Sequence, residues 1–567
     1  MSPFVRGFAT TAMLVTIFAC GMWRHPVSGP PATESAGVEA AGSCGSPVVP
    51  PDAQFPPGFD YPQTSTAVHA QWSTNGGGHR ARLHAYCLFA GLNVTALPLN
   101  IPTWRTWKTS SQAFATQYNP WIPSDKDGAP IPGAQASQPM TINESRSRAS
   151  GRFGDIRNKG PIYGVNDRIL SKPEYQDCIV PIPDLPSGTP PLFKLKDGQV
   201  FQSNGDIMIA TVSYNTPALT NILTNTLYRA DMLDKQLPAA EAPPNTLRTP
   251  MPAGSIVLKA MFWPVAGGSP SLTALPIWDW DRNRPGSASD NQYAGYEMQE
   301  FWKRAVAISS APVERKNSTA AVAFLFGVRD KEGKPLPKNL YAAPIVGLDR
   351  FYSLSSAKIK SLSLSNCDRA ILDASAYWLY NREFRDGDSL ALIAMHIMTK
   401  EQPSWTFQSA WWHPDAQSCP KGNNNRFCRW GPDSVRTGDV TWKNYMMVTT
   451  YGANQQQGQT NYSAPLNTTG PVWPVIYNPY IELAATHPIT TNCMNCHARA
   501  AWPPDDPDHK PDRGRASAYL QTDSPHPNPL ETFTTSTGPF KGLLMLDNMW
   551  AVSDRAGYPV PEEQPAH

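Results

Sequence analysis

Residues 493–497 read Cys-Met-Asn-Cys-His. More than any other feature of the sequence, this motif limits the folds that the surrounding chain can adopt. Two thiols at this spacing can each add to one vinyl group of a haem, while the imidazole that follows reaches the iron. The motif predicts one covalent haem c on Cys493 and Cys496, with His497 as an axial ligand of the iron. The alternatives are a redox-active thiol pair and half of a zinc site. The first would need a β-α-β context and the other a second pair of ligands, and neither is evident around the motif.

The first residues predict export from the cytoplasm, which this kind of haem attachment requires. A short positively charged start is followed by an apolar stretch that is short for a membrane span. We interpret residues 1–22 as a signal peptide or a lipoprotein leader, with Cys20 before Gly21 as the candidate lipidation site. An uncleaved anchor and an ordinary cleaved signal are the alternatives. Each exports the chain to the periplasm or cell envelope, and the only membrane tether expected is at the N-terminus.

The remaining cysteines form an even set in a compartment where disulfides persist. They are Cys44, Cys87, Cys178, Cys367, Cys419 and Cys428. The spacing does not determine their connectivity, and only Cys419 and Cys428, joined by a short polar loop, suggest a pair by themselves. Separate buried thiols are an equally good interpretation.

Composition narrows the function classes further. A net charge of +2 with 17% charged residues provides no basic surface for nucleic acid and no acidic one for cations. The 58 prolines and 18 tryptophans favour many short elements with aromatic packing over a helical bundle.

Local patterns divide the chain into a tether and a folded body. Residues 23–58 are rich in Pro, Gly, Ser and Ala without apolar periodicity, which is typical of a tether. Apolar spacing predicts helices at 79–93, 215–237 and 291–309. Runs of β-branched and aromatic residues bounded by turn residues predict strands at 254–265, 319–328, 389–399 and 404–412.

Several blocks, taken in order, resemble a family of exported bacterial monohaem c-type cytochrome proteins. They include "LFAGLN", "YNTPALTNILTNTLY", "IVLKAMFW", "LIAMHIMTKEQPSWTFQSAWW", "NPYIELAATHPITTNCMNCHARAAW" and "KGLLMLDNMWAVSDRA". The resemblance spans most of the chain and implies that the body and the haem segment form one integrated unit. The expected fold is α+β, a β-rich body with several helices at 59–470 and a haem c-binding segment at 471–567 packed on it.

Three functions are compatible with such a chain. The first is electron transfer to or from an unknown redox partner, with both axial positions of the iron filled by protein. The second is a haem-dependent peroxidase or oxygenase with an open or displaceable distal site, and the third is a haem-based sensor. We favour electron transfer, because a single haem needs no second cofactor to shuttle one electron.

The strand predicted at 389–399 contains the candidate for the distal iron ligand. On a strand, His396 shares a face with Ala394 and Met398 among apolar neighbours, and a core histidine hydrogen-bonded to backbone is the alternative. Met545 and Met549, downstream of the motif, are rival ligands. The aromatic residues Trp405, Phe407, Trp411 and Trp412 could line a haem face or simply pack in the core.

Two further polar residues are expected to lie on the surface. Asp279 begins a sequence that starts like a calcium loop, but Arg284 stands where that loop needs glycine, so we expect a solvated turn. His413 precedes Pro414 and Asp415, which favours a surface loop.

Overall fold

The apolar runs near residues 256–265, 389–399 and 406–412 form neighbouring strands at the centre of an eight-stranded antiparallel sheet in a computed structural model of the protein. The chain divides into two units, residues 1–42 and 43–567, and all described residues belong to the second. The structure describes residues 59, 61–64, 66–68, 77–97, 99–114, 140–141, 164–181, 191–203, 207–268, 271–279, 302–313, 318–325, 338–402, 405–416, 440–450, 478–481, 497, 500–503 and 540–559. The predicted leader and tether therefore lie outside the described residues.

The described residues contain both helices and many strands, which confirms the α+β class. The helices are α1 Gly77–Asn93, α2 Ser110–Ala113, α3 Asp167–Leu170, α4 Thr216–Thr224, α5 Ala230–Asp234, α6 Ser356–Lys360, α7 Asn366–Tyr380 and α8 Trp550–Arg555. Short 3-10 helices span Thr103–Thr106, Pro173–Cys178, Leu348–Arg350 and Val440–Asn444. None of the described helices is long and apolar enough to cross a membrane.

The strands of the described residues are mostly short, with three long ones. They are β1 Thr95–Ala96, β2 Ile101–Pro102, β3 Lys108–Thr109, β4 Met140–Thr141, β5 Ile179–Pro181, β6 Phe193–Leu195, β7 Gln202–Ser203, β8 Ile209–Tyr214, β9 Asn245–Thr246, β10 Ile256–Val265, β11 Leu272–Ile277, β12 Arg304–Ser309, β13 Thr319–Leu325, β14 Lys338–Gly347, β15 Ser353–Ser355, β16 Ser389–Thr399, β17 Thr406–Trp412, β18 Tyr445–Thr450, β19 Ala501–Trp502, β20 Leu544–Met545 and β21 Tyr558–Pro559.

The largest sheet has the strand order β18-β17-β16-β10-β8-β3, with β15 also paired to β16 and β7 to β8. Every residue of β16 and β17 is buried, as expected for apolar runs in a sheet covered on both faces. A second sheet has the order β11-β12-β14-β13, in which only β12 and β14 are parallel.

Two helix predictions need correction. The helix predicted at 215–237 is two helices, α4 and α5, because the chain turns between them at Thr226, whose φ is 52°. The helix predicted at 291–309 is wrong at its C-terminal end, where Arg304–Ser309 is β12, and its first part lies outside the described residues. There, pairing with β11 and β14 supplies the backbone hydrogen bonds and overrides helical spacing.

The C-terminal part of the chain contacts the body at several separate places. Strand β20 lies between β19 and β9, parallel to β9. The indole of Trp502 and the hydroxyl of Tyr558 donate to the two carboxylate oxygens of Asp234 at 2.9 and 2.8 Å. The amide of Asn478 donates to the hydroxyl of Ser409 on β17 at 2.9 Å. These contacts hold the described residues after 477 against the large sheet and α5.

Candidate functional site

Strand β16 carries His396 in the interior of the large sheet. Its register neighbours are Lys259 on β10 and Ser409 on β17, whose side chains lie on the same face of the sheet. The side chain is 5% exposed, although it is polar. A histidine in such a position needs a hydrogen-bond partner or another ligand to offset its desolvation.

Neither ring nitrogen of His396 has a hydrogen-bond partner among the described residues. The alternative of a core histidine bonded to backbone is therefore not what the structure contains. Leaving a buried polar group unsatisfied costs about 1–3 kcal/mol, so an imidazole in this state is suited to bind a group added after folding.

His497, the last residue of the motif, lies beside His396. Their ring centroids are 5.3 Å apart with 32° between the ring planes. The ring of Phe407 contacts both imidazoles, at 5.8 Å from His396 and 5.4 Å from His497. The tertiary structure thus brings together two histidines that are separated by about one hundred residues in the sequence. Lys259, Ser409 and Phe407 lie on the same face of the sheet as His396.

The Nδ1 atom of His497 lies 2.7 Å from the carbonyl oxygen of Asn548. Because a carbonyl can only accept, Nδ1 carries a proton, and in the neutral imidazole Nε2 is the nitrogen with the lone pair. Histidine ligands of metals generally donate their other ring N–H in this way, which fixes the tautomer and the orientation of the ring. The contact therefore fixes the orientation of the His497 ring.

The neutral form of His396 is favoured by its surroundings. Burial, together with the neighbouring His497 and Lys259, lowers its pKa well below the usual range. Metal binding requires an unprotonated imidazole, so this environment favours the form that can act as a ligand.

The turn that carries Asn548 is held by a buried ion pair. Lys400 Nζ donates to Asp547 Oδ1 at 2.6 Å, and the two side chains are 8% and 13% exposed. The indole of Trp405 donates to the same oxygen at 3.2 Å, and Asp547 Oδ2 accepts from the backbone N–H of Met251 at 2.9 Å. We call Lys400, Trp405 and Asp547 the anchor.

The next residue, Glu401, forms a second buried pair with a different partner. Its carboxylate oxygens lie 2.9 and 3.1 Å from Nε2 of His84 on α1, and the two side chains are almost completely enclosed. The connection between β16 and β17 therefore ties the sheet both to α1 and to the turn at Asp547.

Sequence reasoning missed the anchor and the His84–Glu401 pair. The available signal was the pair of charged residues Lys400 and Glu401 between two apolar runs, and a single acid, Asp547, in another apolar stretch. Charged residues in such positions are rarely buried unless paired. Their partners lie too far away in the sequence to be recognised by spacing.

The aromatic residues in and just before β17 divide between the site and the core. Phe407 contacts the two histidines and Trp405 belongs to the anchor. Trp411 packs edge-to-face on Trp278 at 5.9 Å, and Trp412 stacks on Phe351 at 4.1 Å. Thus only part of the predicted aromatic set lies at the candidate site.

His413 is not a surface residue, and that prediction is wrong. It is 2% exposed, its Nε2 donates to Asp279 Oδ1 at 3.1 Å, and Arg304 binds both oxygens of Asp279 at 2.6 and 2.8 Å. Pro414, which suggested a loop, lies just after the end of β17. The bonds among His413, Asp279 and Arg304 cover that end of the strand. Asp279 is likewise a partly buried ion-pair partner rather than part of a solvated turn.

Replacing Asp279 with asparagine is expected to reduce stability in a pH-dependent manner. Burial alone would raise the pKa of Asp279, but the bonds from His413 and Arg304 lower it to about 2, against an ordinary value of 3.8. The stabilisation is therefore present above pH 3.8 and lost as the pH falls through 2, and amounts to at most about 2 kcal/mol.

Urea unfolding midpoints of the parent and of Asp279→Asn at pH 7 and pH 3 measure this effect. The difference between the two proteins should be largest at pH 7 and should narrow on acidification. An equal difference at both pH values would show that the ion pair is not its source.

The described cysteines form disulfides. Cys178 and Cys367 are joined with a Cα–Cα distance of 5.3 Å, and Cys87 is also disulfide-bonded. The pairing of Cys178 with Cys367 was left open by the sequence. Cys493, Cys496 and the candidate pair Cys419 and Cys428 lie outside the described residues, as do Cys20 and Cys44.

The rival ligands lie near His497 but in a different arrangement from His396. Met545 belongs to β20 and is paired with Ala501, while Met549 is 2% exposed and directly follows Asn548, the hydrogen-bond partner of His497 Nδ1. Within the described part of the chain, no three His, Cys, Asp or Glu side chains come together as a metal site. The chain matches no protein-family model, no curated protein and no solved structure.

Proposed function

We propose that the protein is an exported electron-transfer protein that carries one covalent haem c, with His497 and His396 as the axial ligands of the iron. The observation that carries this proposal is the buried His396, without a hydrogen-bond partner among the described residues and with its ring centroid 5.3 Å from that of His497. The motif supplies Cys493 and Cys496 for the covalent attachment.

The two rings lie slightly closer together than two imidazole ligands of one metal require. A bond between a metal and an imidazole nitrogen is about 2 Å long, so two such bonds with half a ring on either side need centroids roughly 6 Å apart. The observed 5.3 Å is shorter than that separation, so the two rings would have to move apart to hold a metal between them. A structural zinc ion would instead need four protein ligands.

When bound, the haem would supply a one-electron couple. The residues of the chain would hold it in a dry environment, because β16 and β17 are buried throughout and Phe407 covers both imidazoles. Two protein ligands leave no position for a substrate on the iron. This favours electron transfer over peroxidase, oxygenase or sensor activity.

Two observations support His396 over the methionines as the second ligand. Met549 directly follows Asn548, whose carbonyl accepts from the ring nitrogen of His497 that would not bind the metal. Met545 is engaged in the strand pairing of β20. The rings of His396 and His497 are neighbours, and the lowered pKa of His396 favours its neutral form.

The disulfide between Cys178 and Cys367 supports the proposed location. Such bonds persist in the periplasm and cell envelope but are rare in a reducing cytoplasm. The predicted leader at 1–22 and tether at 23–58, with Cys20 as a possible lipid attachment, would hold the protein at the membrane by its N-terminus. The redox partner is a second protein of that compartment.

Absorption spectra of the purified protein, ferric and ferrous, with and without carbon monoxide, test the proposal. We expect six-coordinate low-spin spectra in both states and little reaction with carbon monoxide, since both axial positions are filled. A high-spin ferric form that reacts rapidly with hydrogen peroxide would instead identify an enzyme with an open distal site. Rapid, reversible binding of carbon monoxide alone would favour a sensor.

A further inference from the structure

We propose that Asp547, held by Lys400 and Trp405, is a positioning residue for His497, and that the anchor thereby lowers the reduction potential of the haem. The inference rests on the proposed function, because it assigns a role to residues that act through one of its axial ligands. Asp547 does not itself contact His497 in any described interaction; it acts through the carbonyl of its neighbour Asn548.

The first argument is the conformation of the turn. Asp547 and Asn548 have φ values of 48° and 66°, so two consecutive non-glycine residues occupy the left-handed region. Each such residue costs of the order of 1 kcal/mol or more and persists only where the surrounding contacts enforce it. Here the left-handed pair directs the Asn548 carbonyl to Nδ1 of His497 at 2.7 Å.

The second argument is the set of contacts that enforces this turn. The carboxylate of Asp547 accepts from three donors, Lys400 Nζ, the indole of Trp405 and the backbone N–H of Met251, at 2.6, 3.2 and 2.9 Å. Trp405 is itself in a left-handed conformation, with φ 62°, and its side chain is completely buried. The ammonium of Lys400 also lies 5.1 Å from the centre of the Trp405 ring.

The third argument is where the anchor begins. Lys400 is four residues after His396 along the chain, and Trp405 precedes β17, which carries Phe407. One connection between strands thus follows the proposed distal ligand and fixes the turn that orients the proximal one. A buried, fully bonded ion pair at this place would set the relative position of the two ligands more rigidly than apolar packing.

The expected effect on the haem follows from the tautomer of His497. A firm hydrogen bond from Nδ1–H to a carbonyl raises the basicity of the ligating imidazole, which stabilises the ferric form more than the ferrous form. Loosening the turn weakens that bond and should raise the reduction potential. Changes behind a metal ligand typically alter metal binding 10- to 100-fold, and a tenfold change in the ferric-to-ferrous preference corresponds to 59 mV for one electron.

The test compares the reduction potentials of the full-length haem protein and three variants. Asp547→Asn keeps the size of the side chain but removes the charge that binds Lys400, and should raise the potential by roughly 59 mV, the tenfold change above. Trp405→Phe removes only one donor to Asp547, and should shift the potential in the same direction by less. Asp388→Asn is the matched control, because Asp388 is also an ion-paired carboxylate, with a side chain 0% exposed against 13% for Asp547, and accepts from Arg382 at 2.6 and 2.7 Å at the opposite end of β16.

Covalent haem content and the low-spin spectrum of each protein are measured first. A parent without covalent low-spin haem rejects the proposed function, and the inference with it. A low-spin parent whose potential is unchanged by both Asp547→Asn and Trp405→Phe rejects the inference alone, as does an equal shift in Asp388→Asn. If Asp547→Asn does not accumulate in folded form, the result for Trp405→Phe decides: an upward shift supports the inference and no shift overturns it.

Discussion

Replacing Cys493 and Cys496 together with alanine is expected to abolish covalent haem, from one per chain in the parent to none. The two thiols are the atoms through which the polypeptide would bond to the vinyl groups, and no histidine contact can replace a thioether bond. After extraction with acidified acetone, a pyridine haemochrome assay should find haem on the parent polypeptide and none on the variant.

The matched control is the replacement of Cys178 and Cys367 with serine, which also removes two cysteines. This variant should keep its haem but lose about 2–5 kcal/mol of stability, because a native disulfide is removed. If acidified acetone extracts all haem from the parent, the attachment is not covalent and the reading of residues 493–497 is wrong.

Replacing His396 with alanine is expected to have the second-largest effect, the loss of the low-spin state. The proposed iron would lose one of its two imidazoles, so the ferric spectrum should become high-spin or show a weak replacement ligand. Carbon monoxide should then bind the ferrous form readily. Absorption and EPR spectra of the variant measure both changes.

Two other variants distinguish ligation from a general disturbance of the fold. His84→Gln alters a second buried histidine, the partner of Glu401, and should reduce stability without changing the spin state. Met545→Ala removes the rival ligand. Should Met545→Ala, and not His396→Ala, change the spectrum and the potential, His396 would be a core residue and the ligand assignment would fail.

A stability measurement adds an independent check on His396. In a haem-free preparation, His396→Leu should be neutral or stabilising, because it removes two buried nitrogens that have no hydrogen-bond partner among the described residues. In the haem-loaded protein the same change should be destabilising, because a ligand bond is lost. Thermal unfolding of both forms would show whether the sign reverses as expected.

Local patterns in the sequence were sufficient to locate the long central strands. Strands β10, β16 and β17 are continuous runs of apolar, β-branched and aromatic residues, and their predicted limits differ from the observed ones by two residues or fewer. The first helix was also located, with its start two residues earlier than predicted. These elements are determined by neighbouring residues, so the pattern is visible without knowledge of the fold.

Elements that depend on distant pairing were not predictable in this way. Arg304–Ser309 has an apolar spacing compatible with a helix, yet it is a strand because β11 and β14 provide its hydrogen-bond partners. His413 adjoins a proline and an acid, yet Asp279 and Arg304 bury it. In both cases the deciding partner lies elsewhere in the chain.

Local sequence features are enough to recognise the motif at Cys493–His497, to predict His497 as a ligand and to make His396 a candidate, because thiol spacing and a lone histidine in an apolar strand are visible in short stretches of the chain. Only the tertiary structure decided that His396 faces His497 without a hydrogen-bond partner among the described residues, and that the Asn548 carbonyl meets Nδ1. It also decided the pairing of Lys400 with Asp547 across 147 residues and of Cys178 with Cys367 across 189. Contacts at such separations form only when the whole sheet packs. No short-range sequence pattern specifies which distant side chain will pair with a buried charge or supply the second ligand.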